Sequence, residues 1–286
     1  MKKIIYFIEF LLVEFLFVIF KIIGYKSASN LGFFIGKNFG NFFRKKKSII
    51  QNLHKSKITI NISDNQFVDN VLGNYGRILA EYPFLKDFRK KKLEQFIKID
   101  GTENLNKIKK NNKPVVFISG HFNNFELMAM QIEKNGINLA AIYRPLNNVF
   151  LNKTMEQIRT KYICKNQIRK GRSGTRQILE NLKKGNSIAL MIDQRVTEGI
   201  KIDFFGNLAS TTTIPAQIIK KYECDLVPIY IERLEKYNFK MYVSQPIAIN
   251  SEKSQEEISE HLNTILEKMI LKNPDQWIWT HNRWKK

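Results

Sequence analysis

Pro114-Val115-Val116-Phe117-Ile118-Ser119-Gly120-His121-Phe122-Asn123-Asn124-Phe125-Glu126 is the stretch on which the reading of this chain turns. Its first part is a short continuous apolar run, the pattern of a strand buried on both faces. Gly120 breaks the run, and a helical pattern starts near Asn123 and continues through Met130 and Ile132. A buried strand that passes through a glycine into a helix is a repeating unit of α/β folds. Open α/β sheets place their sites in the loops at the C-terminal ends of such strands. Gly120 is expected to let the backbone turn sharply beside His121.

The alternation extends along the chain. Asn138–Tyr143, Ser187–Ile192, Leu226–Ile231 and Phe239–Val243 read as strands. Residues 65–82 read as a helix packed by Phe67, Val68, Val71, Leu72, Tyr75 and Ile78. Ser173–Lys184, with Ser173 as N-cap, and Thr213–Glu223 read as further helices. Residues 255–272 form an amphipathic helix with Ser254 and Glu257 in capping-box spacing. The pattern predicts an α/β fold with a mixed, largely parallel central sheet flanked by helices.

His121 and Glu126 are five residues apart, so on one continuous helix they would point about 140° apart. They can meet only with His121 in the loop and Glu126 in the first turns of the helix. In that arrangement Glu126 would accept a hydrogen bond from one ring nitrogen, fixing the tautomer, while the other nitrogen takes a proton from a hydroxyl. A loop histidine beside a surface glutamate would give the same spacing.

The chain has 286 residues, a formal net charge of +21 and two cysteines without metal-ligand spacing. A disulfide scaffold or a structural zinc site is not expected. The charge fits a polyanionic partner, and equally a lysine-rich surface from AT-rich codon usage. Residues 4–20 are apolar except for Glu9 and Glu14, and basic residues follow at Lys26, Lys37 and Arg44–Lys47. A membrane anchor, spanning or interfacial, is the first reading. A buried core helix and a cleaved signal are the others. The expected division is an anchor helix over 1–25 and one domain over 26–286.

The His-Phe-Asn-Asn-Phe-Glu segment resembles the H-x4-[D/E] motif of the lipid A biosynthesis (lauroyl/myristoyl) acyltransferases. Ile142–Asn148, Ala189–Gln194 with Asp203–Gly206, Thr211–Ala216 and Pro274–Trp284 resemble further blocks of that family, in the same order. The chain departs from the family at Phe125, where many members carry Trp, and at Thr212–Pro215, which replaces a Thr-Pro-Thr-Gly pattern. The resemblance implies a glycerolipid-acyltransferase-like fold and an O-acyltransferase. Acyl carrier protein would be the thioester donor, and a lipid A precursor would supply the hydroxyl of a 3-hydroxyacyl chain. It implies no metal and no redox cofactor.

The implied catalytic residues are His121 and Glu126. Arg144 is expected to hold acceptor phosphate, with Arg159, Arg172 and Arg195 as weaker choices. The Asn123–Asn124 region and the helix N-terminus are candidate oxyanion donors, with Asn123 a candidate substrate contact, and Asp193 is a candidate site residue. The implied setting is the inner membrane with the catalytic domain facing the cytoplasm, and nucleic acid is not an expected partner. The rival readings are acyl transfer to a lysophospholipid or glycolipid, and a non-catalytic basic membrane-associated binding protein.

Overall fold

The computed structural model describes residues 2–285 apart from Ser251 and the side chain of Arg172. Four helices come first: α1 (Lys2–Ile23), α2 (Tyr25–Phe43), α3 (Lys46–Ser56) and α4 (Asp64–Glu81). The short α5 (Leu85–Arg89), β1 (Ile97–Asp100) and α6 (Thr102–Asn111) lead into the alternating part. That part runs β2 (Val116–Ser119), α7 (Glu126–Lys134), β3 (Leu139–Tyr143), α8 (Val149–Ile158), β4 (Asn166–Arg169), α9 (Arg172–Lys183) and β5 (Ser187–Met191). A hairpin of β6 (Ile200–Phe204) and β7 (Asn207–Thr211) precedes α10 (Ile214–Tyr222), β8 (Leu226–Arg233), β9 (Phe239–Val243) and α11 (Gln255–Lys272).

The seven-stranded sheet has the order β1-β9-β8-β2-β5-β3-β4. Every neighbouring pair is parallel except β8 with β9. The expected mixed, largely parallel sheet is therefore present. β2, entirely buried, lies at its centre between β5 and β8. The expected capping box at Ser254 and Glu257 opens α11. Ser173 is not the N-cap of α9, because that helix starts one residue earlier with Gly171 before it.

α1 packs one side on the domain and leaves the other exposed. Phe17 and Phe20 enter the core. Phe7 and Phe10 meet Phe150 of α8 at ring distances of 5.4 and 6.1 Å. Glu9, a charge within an apolar run, accepts a hydrogen bond from Asn148 Nδ2 at 3.0 Å. The Asn148 side-chain oxygen caps α8 by accepting from the Phe150 and Leu151 amides. Ile4, Ile8, Leu11, Leu12, Phe15 and Val18 face outward. No helix among the described residues is long and apolar enough to cross a membrane, so the spanning form of the anchor reading finds no support here.

α2 crosses α4 through facing glycines. A Cβ added at Gly76 would lie 1.9 Å from the Gly32 carbonyl oxygen, and one at Gly36 would lie 2.2 Å from that of Leu72. Backbone rather than a flexible side chain blocks both positions, so the helices can approach this closely only without side chains. Gly76→Ala is expected to lower unfolding stability by about 1–3 kcal/mol through forced separation of α2 and α4. Urea unfolding followed by circular dichroism would measure this, and an unchanged midpoint would contradict the close crossing.

Candidate active site

β2 pairs with β5 so that Ser119 lies opposite Met191. Two residues further along each strand come His121 and Asp193, which meet side by side beyond the sheet edge. His121 Nδ1 and Asp193 Oδ1 are 2.7 Å apart, and the His121 amide donates to Asp193 Oδ2 at 2.7 Å. The Trp277 indole N–H donates to Asp193 Oδ2 at 2.9 Å. Asp193 is completely buried, whereas His121 keeps 19% of its side-chain surface exposed, enough for an approaching group to reach it. Phe125 packs edge-on against the imidazole at 4.8 Å.

Burial alone would push the His121 pKa down, but the Asp193 charge and hydrogen bond outweigh it and hold it above the ordinary value. Burial would likewise push Asp193 up. The charge of His121 and the donated hydrogen bonds outweigh this and hold the Asp193 carboxyl below its usual range. Each group thus favours the charged form of the other.

His121 lies in the loop and Glu126 opens α7, as the spacing requires. The expected hydrogen bond between them does not form. The Glu126 carboxylate instead accepts from Arg159 Nε at 2.8 Å, lies 2.7 Å from Arg159 Nη2 and accepts from the Tyr82 hydroxyl at 3.1 Å. A buried guanidinium is a stronger competitor for a carboxylate than a neutral imidazole. Arg159 opens a π-helical turn, Arg159–Ile163, that extends α8. Its Nη1 is buried without a partner among the described residues.

The sharp turn falls at Asn123, with φ 42°, rather than at Gly120. Gly120 is required for space, since a Cβ there would come within 2.9 Å of the Phe122 ring. The Asn123 amide group donates to Gln276 Oε1 at 2.6 Å, and that of Asn124 donates to Glu81 Oε2 at 3.2 Å. These side chains brace the loop, so Asn123 is not available as the oxyanion donor expected of it. Behind them Glu81, fully buried, takes a two-pronged ion pair from Arg233 at 2.7 and 3.0 Å. Gln276 also joins the Arg233 backbone through both ends of its amide.

Arg144 follows β3 and Arg195 follows β5, both on the edge that carries His121. Neither is near a carboxylate in a described ion pair, whereas the guanidinium of Arg159 is fully engaged on one side by Glu126. His281 Nε2 accepts from the Arg195 amide at 3.0 Å, and burial holds its pKa below the ordinary value. Trp277, Trp279 and Trp284 are all buried. Of their indole N–H groups, that of Trp277 binds Asp193 and the other two bind backbone carbonyls, a difference their sequence context does not reveal.

The sequence profile of the bacterial lipid A biosynthesis acyltransferases matches residues 1–286. The chain belongs to this family. It is 24% identical over 201 residues to the lipid A biosynthesis palmitoleoyltransferase of Escherichia coli K12, covering 68% of this chain and 63% of that protein. A lipid A biosynthesis acyltransferase of Shigella flexneri aligns with the same identity and coverage. A second Shigella flexneri protein, lipid A biosynthesis acyltransferase 2, is 22% identical over 183 residues, which is 63% of this chain and 58% of that one. The alignments thus span less than two thirds of these relatives. Among solved structures, the 1-acyl-sn-glycerophosphate acyltransferase PlsC of Thermotoga maritima aligns with a TM-score of 0.42 and 12% identity, over 88% of this chain and 99% of that one.

The charge coupling in this site is directly measurable. Nitrogen-15 NMR titration of His121 should give a midpoint above the ordinary histidine value of about 6.5. In Asp193→Asn the raising charge is gone while burial remains, so the midpoint should fall below that of the unaltered protein. The same midpoint in both proteins would mean that Asp193 does not control the imidazole.

Proposed function

We propose that the protein is an O-acyltransferase that moves a fatty acyl chain from an acyl thioester to a hydroxyl of a lipid A precursor, with His121 as general base. The observation that carries this reading is the buried Asp193 paired with Nδ1 of a reachable His121 at the central strand edge. Membership of the family supplies the reaction class.

His121 Nε2 removes the acceptor hydroxyl proton, and the resulting alkoxide attacks the thioester carbonyl. Asp193 stabilises the imidazolium formed in that step. Glu126 acts one position further out, by holding the Arg159 guanidinium in place. The Arg159 charge, which acts on His121, would help to stabilise the oxyanion of the tetrahedral intermediate,. The intermediate collapses, the C–S bond breaks, and His121 returns the proton to the leaving thiolate. Acyl carrier protein is the proposed donor, and its acidic surface would suit a chain of net charge +21,. Arg144 is the proposed contact for acceptor phosphate.

The exposed apolar face of α1, joined by Phe34, Phe42 and Phe43 of α2, is proposed to sit in the interface of the inner membrane with the catalytic domain on the cytoplasmic side,. Arg44–Lys47, immediately after α2, would meet anionic headgroups. Leu11→Glu with Phe15→Glu, both on the outward face, should reduce co-flotation with anionic vesicles while leaving the circular dichroism spectrum unchanged. Full retention on the vesicles would remove α1 from the membrane contact.

The activity test uses purified full-length protein, acyl carrier protein loaded with chains of different length, and a tetraacylated phosphorylated disaccharide. His121→Ala should lose at least about two orders of magnitude in rate. Asp193→Asn should shift the alkaline-rising limb of the rate profile to lower pH and reduce its plateau. An absence of transfer to any lipid hydroxyl from well-folded protein would reject the enzyme reading.

A further inference from the structure

The C-terminal segment, residues 274–284, is stitched onto the histidine loop. Trp277 forms an isolated antiparallel bridge with Phe122, and the Asn123 amide donates to the Gln276 carbonyl at 3.1 Å. Asn52 of α3 binds the Trp279 and His281 carbonyls at 2.8 and 3.1 Å. Trp279 packs edge-on against Trp277 at 4.8 Å. Backbone pairing and packing thus hold the Trp277 indole in place, with its N–H 2.9 Å from Asp193 Oδ2. That oxygen also accepts from the His121 amide, while Oδ1 faces the imidazole. Arg283 of the same segment is fully buried, and among the described residues it belongs to no ion pair. It donates to the Ser210 carbonyl at 2.6 Å and to the Thr211 hydroxyl at 2.8 Å. Burial pushes its pKa down to about 10, and the charge of Asp193 opposes that fall.

The need for such partners changes with the state of the base. While His121 is protonated, its charge stabilises Asp193 at close range. Once His121 is neutral, Asp193 must keep its charge with no exposed surface. Dipoles and more distant charges then have to offset the burial. The charged or titratable groups around the pair are Glu126 and Arg159 beside His121, Tyr75 of α4, and His281 and Arg283 of the C-terminal segment. Burial favours the neutral forms of Tyr75 and His281. Among the described residues, the indole N–H is the one donor to Asp193 that does not belong to His121.

We infer that Trp277 is a positioning residue for the base, its indole N–H carrying part of the Asp193 charge whenever His121 is neutral. The indole thereby favours the imidazole with Nε2 free, the form that accepts a hydroxyl proton. Without it Asp193 depends more on the imidazolium, and His121 keeps its proton to higher pH. The sign is opposite to that of Asp193→Asn, which removes the charge itself. The inference rests on the base reading of His121 for its effect on rate, while the coupling is readable without turnover.

Two variants separate the hydrogen bond from the packing: Trp277→Phe, and replacement of Trp277 by 3-benzothienylalanine, which keeps both rings and exchanges the N–H for sulfur. Trp284→Phe is the packing control, because the Trp284 indole donates to the Phe204 carbonyl at 3.0 Å. In the full-length protein the nitrogen-15 midpoint of His121 should rise in both Trp277 variants and stay unchanged in Trp284→Phe. In acyl-transfer assays both Trp277 variants should lose about three- to tenfold in kcat below the midpoint of the unaltered protein and regain it as the pH is raised. KM for donor and acceptor should not change. A His121 midpoint that stays or falls in the benzothienylalanine protein overturns the inference, as does a kcat deficit equal at every pH. If Trp277→Phe does not fold, the isosteric replacement decides alone. If the midpoint rises but even the unaltered protein transfers no acyl group, the coupling stands and the enzyme reading fails; if transfer proceeds and the midpoint does not rise, the reverse holds.

Discussion

The parallel pairing of β2 with β5 places His121 and Asp193 at the same height on adjacent strands, and the chemistry of the site depends on that register. A carboxylate with no exposed surface is costly unless its oxygens are satisfied. Asp193 meets that condition with the imidazole, the His121 amide and the Trp277 indole. The contacts come from the end of β2, the end of β5 and the C-terminal segment, three parts of the chain that meet only in the folded protein. A slip of β5 by one residue would turn Asp193 to the opposite face of the sheet and leave the imidazole without its partner.

A second buried charge system braces the same loop from behind. Glu81 at the end of α4 binds Arg233 at the end of β8, Ser29 of α2 and Asn124 of the histidine loop. Removing one side of such a pair costs about 3–5 kcal/mol, because the other charge stays buried. The helical N-terminal region is thereby tied to the histidine loop by polar contacts as well as by packing. Glu126 belongs to this supporting chemistry too. Its contact with Arg159 makes the acid of the motif a holder of a cation rather than a direct partner of the imidazole.

Much of this architecture was legible in the sequence, because buried strands announce themselves as apolar runs. β2, β3, β5, β8 and β9 all fall where such runs occur. β1, with the sequence Ile-Lys-Ile-Asp, and β4, Asn-Gln-Ile-Arg, were not, since neither is an apolar run. The site was legible to the same depth. His121 could be placed in its loop from spacing, and Asp193 could be flagged at a strand end. Their pairing could not be read, because strand order in the sheet is absent from local sequence. Glu126 looked like the partner because it was near in sequence, and Arg159, far away in the chain, competes for it in space.

The tie between Glu9 and Asn148 bears on how such a protein can be handled in solution. Deleting α1 is the obvious route to a water-soluble form, since its outer face is apolar. The deletion would uncover Tyr82 and the side of the core that Phe17 and Phe20 fill, and leave Phe150 without its aromatic neighbours. It would also free the α8 cap at the end of the segment that starts with Arg144. The truncated protein would exchange one sticky surface for another and loosen the start of α8. Detergent or a nanodisc around the intact chain is the gentler course.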